Sequence, residues 1–120
     1  MLTIDSIVLY VEDVKTSTEF YTKLFSCKAK ALSPTFVTIN LASGPLLELK
    51  QRAETLPPYE VTGGGTELSI AASSKESLMK IYATWSANGV VCLQPPNELV
   101  FGTTFVVLDP DKHRIRVFSQ

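Results

Sequence analysis

The chain ends in a segment whose residue types could do chemistry, LDPDKHRIRVFSQ at positions 108–120. Its DPDK stretch predicts a tight turn, because Pro110 presets φ and the flanking aspartates can bond the local backbone. The residues after the turn alternate between two faces, with Ile115 and Val117 on one and Arg114, Arg116 and Phe118 on the other. Burying an unpaired guanidinium is costly, so Arg116 near the strand centre must face water, a carboxylate or a ligand.

Other residues with catalytic potential form no recognisable set. His113 is the only histidine, which excludes a site that needs two from one chain, and beside the turn we expect it to be solvated. Gly63-Gly64-Gly65 lacks the GxGxxG or GxxxxGK[ST] spacing of a phosphate-binding loop. No Ser-His-Asp or Cys-His arrangement is apparent, and we therefore assign no catalytic residue.

Composition narrows the class of protein. The chain has 120 residues, the size of one domain, and we expect a single domain over 1–120. Eleven basic against twelve acidic side chains give a net charge of −1, which argues against a nucleic-acid partner. No apolar run is long enough to cross a membrane, and the first residues lack a basic segment. We expect a cytoplasmic protein with no membrane partner.

The elements that must position Arg116 follow a repeated order. Strand, helix and three strands are predicted over about 1–52, with Asp13 capping a helix to about Phe25. A linker at about 53–65 leads to the same order over about 66–120. There, Ser73 and Glu76 have capping-box spacing, Val90 to Gln94 reads as a strand, and Pro95 to Phe101 reads as a loop.

The repeat can be checked by register. An offset of 61 positions places Ile7 on Leu68, Leu9 on Ile70 and Tyr21 on Tyr82, with the apolar phase in agreement. By strand position, Glu48 in the fourth strand then corresponds to Arg116 in the eighth. We therefore predict an α+β fold of tandem βαβββ modules.

This arrangement resembles the vicinal oxygen chelate superfamily, which includes glyoxalases, bleomycin-resistance proteins and extradiol dioxygenases. The motifs that carry the resemblance are IVLYVED at 7–13, STEFYTKLF at 17–25 and DPDKHRI at 109–115, which is similar to the DPDGN-type turn of the family. The resemblance covers nearly the whole chain. It implies a curled mixed sheet with a concave cavity, helices on the convex face, and a homodimer.

The resemblance also implies where a metal would be held. Enzymes of the family bind a divalent metal through side chains of the first, fourth, fifth and eighth strands, here Ser6, Glu48, Glu67 and Arg116. The alignment at Glu67 could shift toward Gly65. Ser6 is a poor ligand, and Arg116 has no lone pair to offer. Only Glu48 and Glu67 could hold a metal, so we expect no cofactor and expect Arg116 to pair with one of these carboxylates.

We therefore hypothesise a metal-free protein that binds a small planar molecule, expected to be aromatic, in a dimer-interface cavity, with antibiotic sequestration as one use. Arg116 would present donors to an acidic or carbonyl-bearing ligand. The expected ligand-binding residues are Ser6, Tyr10, Phe36, Glu48, Glu67, Phe101, Phe105, Arg116 and Phe118. The alternatives are a metal-dependent lyase, isomerase or dioxygenase of the same superfamily, and a ligand-free interaction module.

The apolar phase also predicts the core. We expect it to contain Ile7, Leu9, Phe20, Leu24, Leu47, Leu49, Leu68, Ile70, Ile81, Trp85, Ile115 and Val117. The homodimer implied by the resemblance would set the first module of one chain against the second module of the other. The sequence leaves open whether the cavity closes within one chain or between two.

Overall fold

The computed structural model describes residues 2–120, which form two compact units, one ending at Gly63 and the other spanning Gly64–Gln120. Unit one contains β1 (Ser6–Val11), α1 (Val14–Leu24), β2 (Ala29–Ser33), β3 (Phe36–Ile39), β4 (Leu46–Gln51) and a 3-10 turn (Arg52–Glu54). Unit two contains β5 (Glu67–Ala71), α2 (Lys75–Ala87), β6 (Val91–Leu99), β7 (Gly102–Leu108) and β8 (Arg114–Ser119). Each unit has the predicted βαβββ order, and the α+β fold class is confirmed.

The helices begin at polar caps. The Asp13 side chain accepts a hydrogen bond from Lys15 N at 3.2 Å, so the predicted cap of α1 is confirmed. The cap of α2 is Ser74 and not the predicted Ser73, because it is the Ser74 hydroxyl that accepts from a backbone N–H three residues on, at 3.0 Å. Neither helix of residues 2–120 has the length and apolarity that a membrane span needs.

Each unit has one four-stranded mixed sheet. The strand orders are β1-β4-β3-β2 and β5-β8-β7-β6, and in each sheet only the first pair is parallel. Val8 pairs with Glu48, and Ser69, which lies 61 positions after Val8, pairs with Arg116. The equivalence of Glu48 and Arg116 in the two repeats is therefore confirmed by strand register.

The helix-covered faces hold the apolar core. Of the predicted core residues, seven are buried, namely Leu9, Leu24, Leu47, Leu49, Trp85, Ile115 and Val117. Phe20, Leu68, Ile70 and Ile81 are half-buried. The prediction for Ile7 was wrong, because this side chain is 44% exposed. Helix α1 packs mainly over β3 and β4, which leaves the edge strand β1 partly uncovered.

Strand β6 corrects another prediction. It continues through Pro95 and Pro96, where the sequence indicated a loop. A proline lacks the N–H of a central ladder, but β6 is an edge strand and needs bonds on one side only. The pairing with β7 also shifts register between Gln94 and Asn97, which accommodates the two prolines.

Candidate functional site

The site residues predicted from sequence fall mostly on the sheet faces that point away from the helices. In unit one, register and alternation place Ser6, Tyr10, Phe36 and Glu48 on the same face. In unit two, the same argument places Glu67, Arg116 and Phe118 together. We call these two surfaces the open face of unit one and the open face of unit two.

Arg116 is the centre of the open face of unit two. Its Nε donates to Glu67 Oε2 at 3.0 Å, and its Nη1 donates to Thr104 Oγ1 at 2.9 Å. The Thr104 hydroxyl in turn donates to the carbonyl of Val117 at 3.0 Å. The guanidinium is thus held from two sides in one orientation. Of the two predicted partners, Glu67 is the one that pairs with it.

Arg116 keeps donors for a further group. A guanidinium has five N–H donors, and the two contacts with Glu67 and Thr104 use two of them. The Arg116 and Glu67 side chains are 30% and 34% exposed, so both can be reached from outside. Because the pair is electrically balanced, this position can offer directed hydrogen bonds to a carbonyl or acidic group without a large net charge.

Two predicted aromatic residues lie beside this cluster. A surface pocket of about 80 Å³ is lined by Leu99, Phe101, Gly102, Thr103, Thr104, Phe118 and Ser119. Phe118 is 38% exposed, and Phe101 is 85% exposed in the turn between β6 and β7. Thr104 belongs to both the pocket and the Arg116 cluster. Aromatic walls and guanidinium donors therefore occur on one continuous surface of unit two.

The turn between β6 and β7 is fixed at both of its ends. At Gly102, φ is +143°, and an added Cβ would lie 1.9 Å from the backbone oxygen of Ser119, so only glycine fits there. On β6, Glu98 forms an ion pair with Lys75 at the start of α2. The hydrogen bond from Lys75 lowers the pKa of the Glu98 carboxyl, so the pair stays charged at neutral pH. Phe101 lies between these two positions, and it lines the same pocket as Phe118.

The open face of unit one has different chemistry. Glu48 is buried, with 8% of its surface exposed, and its Oε2 accepts from the Thr38 hydroxyl at 2.8 Å. Thr38 lies directly opposite on β3, so the bond follows from strand register. Lys50, two residues further along β4, has its Nζ 5.7 Å from the ring centroid of Phe36. Glu48 therefore bonds to a hydroxyl of its own sheet.

Aromatic rings extend this face at one end. Tyr10 pairs in register with Lys50, and its ring centroid lies 4.6 Å from that of Tyr59, which comes from the segment after β4. Arg52 anchors this segment, because it forms an ion pair with Glu12 at 3.1 Å and contacts the carbonyl of Tyr59 at 3.5 Å. The hydrogen bond and charge of Glu12 raise the pKa of Arg52.

One predicted ligand residue lies elsewhere. Phe105 is fully buried on the helix-covered face of unit two, with its ring centroid 5.2 Å from Tyr82 and 5.7 Å from Trp85 of α2. Its cross-strand partner is Val117, a core residue. Phe105 is therefore part of the core, and the expectation that it reaches the open face is corrected.

His113 also differs from expectation. It is buried and not solvated, with 3% of its surface exposed, and its Nδ1 lies 2.7 Å from Asp109 Oδ2. The other carboxylate oxygen of Asp109 accepts the backbone N–H groups of Asp111 and His113 at 2.9 and 2.8 Å. The histidine thus completes the hydrogen bonding of a buried carboxylate that organises the last turn.

The donor set of the open faces does not match a metal centre. Within residues 2–120, no group of three or more His, Cys, Asp and Glu side chains is arranged to hold a metal ion. Glu67 is bonded to a guanidinium and Glu48 to a threonine hydroxyl. The positions that the family resemblance gave for metal ligands therefore hold an ion pair in one unit and a hydroxyl-bonded acid in the other.

Sequence reasoning missed several side chains of these faces, namely Thr38, Lys50, Tyr59 and Thr104. Thr38 and Lys50 could have been predicted, because each lies two residues from Phe36 or Glu48 on the same strand and so points to the same face. Thr104 pairs with Phe118, but β7 carries no clear alternation to reveal its face. Tyr59 lies in the predicted linker, where no periodic pattern indicates a contact with β1.

Tandem βαβββ units with polar and aromatic side chains on the open sheet faces define a class of small two-module proteins. The family model described as Glyoxalase/Bleomycin resistance protein/Dioxygenase superfamily matches residues 3–117. The chain therefore belongs to this superfamily, as the sequence motifs indicated.

Individual proteins are similar to this chain in sequence or in fold. The chain is 27% identical over 113 residues to the phenazine antibiotic resistance protein EhpR of Enterobacter agglomerans, with 92% of this chain and 86% of the relative covered. The solution structure of protein ATC0852 from Agrobacterium tumefaciens is 39% identical, with a TM-score of 0.87 and 99% and 98% of the two chains covered. A glyoxalase-related enzyme from Fulvimarina pelagi has the same fold at 18% identity, with a TM-score of 0.85 and coverage of 100% and 89%.

Proposed function

We propose that this protein binds a small planar aromatic molecule without a metal, in a cavity that a homodimer completes. The observation that carries the proposal is the Arg116 cluster, in which Glu67 and Thr104 hold a guanidinium beside a pocket lined by Phe101 and Phe118. Aromatic side chains contribute affinity for a planar ring, and a few placed donors fix its orientation. Arg116 would donate to a carbonyl or acidic group of the ligand.

The relative named as a phenazine antibiotic resistance protein supports this class of ligand. Phenazines are planar, tricyclic and aromatic, with ring nitrogens that accept hydrogen bonds. The sequence similarity covers 92% of this chain, which includes both units. Antibiotic sequestration is the use we propose, with phenazines as the first compounds to test.

We propose a dimer because the pocket on unit two is too small to enclose a ligand of this kind. The pocket beside Phe118 has a volume of about 80 Å³, whereas sites for drug-sized ligands usually enclose ~300 Å³ or more. Val100 and Phe101, in the turn between β6 and β7, are 98% and 85% exposed, which is unusual for adjacent large apolar residues. A second copy would cover these side chains and supply the remaining walls. Light scattering at micromolar concentration should give twice the chain mass, and a monomer would contradict this part.

The ligand proposal is tested by a thermal-shift screen of planar aromatic antibiotics, with aliphatic acids as the control compounds. A ligand of the native state at about 100 times its Kd should stabilise the protein by about 2.7 kcal/mol, because it does not bind the unfolded chain. Arg116→Gln should reduce the shift, and Arg114→Gln on the same strand should not. If no aromatic compound shifts the transition, the proposal fails.

Metal binding has its own test. The protein is incubated with Ni²⁺, Zn²⁺, Mn²⁺ or Fe²⁺, passed over a desalting column and analysed for elements. We expect no stoichiometric metal, because Arg116 occupies one of the four inherited positions with a positive charge. One bound ion per chain would favour the metal-dependent lyase, isomerase or dioxygenase that the superfamily also contains.

A further inference from the structure

Lys50 forms no ion pair within the part of the chain that the structure describes. Its side chain is half-buried on the open face of unit one, above the Phe36 ring. The nearest acid on the same strand face, Glu48, accepts instead from the Thr38 hydroxyl. A half-buried lysine without an ion-pair partner among the described residues is a place where an anionic group can bind.

Aromatic rings lie next to this ammonium. Tyr10 is the cross-strand partner of Lys50, and Tyr59 packs on Tyr10 with its ring tilted by 48°. Tyr59 is 45% exposed, so part of its ring is free to meet another ring. Arg52 holds the backbone of Tyr59 and is itself held by Glu12. The segment after β4 therefore adds a positioned aromatic surface to the open face.

We propose that the ligand is a planar aromatic carboxylate, whose ring lies on Tyr59 and Tyr10 and whose carboxylate pairs with Lys50. This inference rests on the proposed function, which it deepens by naming the ligand class. Tyr59 and Lys50 become ligand-binding residues, and Arg52 becomes a positioning residue that acts through Tyr59.

Lys50 differs from Arg116 in how its charge is balanced. Arg116 is balanced by Glu67, so it contributes directed hydrogen bonds and little net charge. Lys50 has no such partner among the described residues, so it is the group that distinguishes an anion from a neutral ring. Lys30 points to the same face by register, but it is exposed on the edge strand β2 and should contribute less.

The test compares two probes with the same ring, phenazine-1-carboxylate and unsubstituted phenazine, by equilibrium titration at neutral pH. The wild-type protein should bind the carboxylate about fivefold more tightly, the size expected for one partly solvated ion pair. Lys50→Met keeps the length of the side chain and should abolish this preference while phenazine itself still binds. The matched control, Lys23→Met on the exposed surface of α1, should retain the preference.

Tyr59→Leu tests the contribution of the aromatic ring to affinity separately from that of the Lys50 charge. Because stacking on an aromatic side chain contributes affinity for any planar ring, both probes should lose about tenfold in affinity while the ratio of their affinities is kept. Arg52→Gln should reproduce part of this loss, and far-ultraviolet circular dichroism will verify that each variant is folded.

The outcomes distinguish this inference from the proposed function. Equal wild-type affinity for the two probes, or a preference that survives Lys50→Met, would overturn the aromatic carboxylate proposal and leave aromatic binding intact. If the preference for the carboxylate is lost in Lys30→Met and kept in Lys50→Met, the carboxylate pairs with Lys30 on the edge strand, and the proposal is also overturned. If neither probe nor any other planar aromatic compound binds, both proposals fail together.

Discussion

Replacing Arg116 with alanine tests whether its contacts stabilise the fold. The Arg116–Glu67 ion pair is about one-third exposed on each side, so solvent screening limits it to about 1 kcal/mol. The hydrogen bond to Thr104 adds about 1 kcal/mol, because its donor is charged and its acceptor is buried. Thr104 keeps its bond to the Val117 carbonyl in the variant. We therefore expect Arg116→Ala to lower the free energy of unfolding by about 1–2 kcal/mol.

This figure is smaller than the roughly 3–5 kcal/mol for breaking a fully buried ion pair. Urea denaturation of Arg116→Ala, Glu67→Ala and the double variant will give the coupling energy of the pair, which should be about 0.5–1 kcal/mol. Arg114→Ala is the matched control, since Arg114 is exposed on the same strand, and it should change stability by less than about 0.5 kcal/mol. If Arg116→Ala behaves like Arg114→Ala, Arg116 is a solvated strand residue and the cluster has no structural role.

Three further substitutions follow from the structure, each measured by urea denaturation. Gly102→Ala should destabilise by about 2–3 kcal/mol, because the new Cβ would lie 1.9 Å from the Ser119 oxygen; a neutral result would show that the turn can shift freely. His113→Ala should cost about 2 kcal/mol, because the buried Asp109 loses its side-chain donor, and an unchanged midpoint would place this histidine in water. Lys112→Gly should stabilise by about 0.5–1 kcal/mol, because Lys112 has φ of +68° and glycine adopts this region without strain; a loss of stability would mean that the lysine side chain has a role of its own.

The fold was predictable because the two repeats carry the same apolar phase. Alternation alone placed Glu48 and Arg116 on the open faces, and strand pairing confirms both positions. The error at Ile7 came from coverage rather than from phase. Ile7 points to the same side of the sheet as the core residues Leu9 and Val11. Helix α1, however, packs mainly over β3 and β4. The sequence of β1 alone does not show which of its residues the helix covers.

The site was less predictable, because its contacts depend on register between strands far apart in sequence. Alternation could not decide between Glu48 and Glu67 as the partner of Arg116, and only the β5–β8 pairing brings Glu67 within 3.0 Å. Phe105 was misplaced because residues 103–107 of β7 are all buried, so that strand offers no polar face by which to set its phase. His113 was misplaced because a turn composition does not show that the Asp109 carboxylate points inward.

The two open faces show how one repeated backbone can carry opposite chemistry at the same place. Glu48 and Arg116 are equivalent in strand register, yet one is an acid bonded to a hydroxyl and the other is a guanidinium bonded to an acid. A guanidinium has no lone pair for a metal ion, and its positive charge is balanced here by Glu67. The same guanidinium places N–H donors on the open face of unit two, whereas the open face of unit one carries the ammonium of Lys50. The donors and the ammonium suit the ligand class that we propose, an aromatic molecule with acceptors or a negative charge, and the titrations above test it.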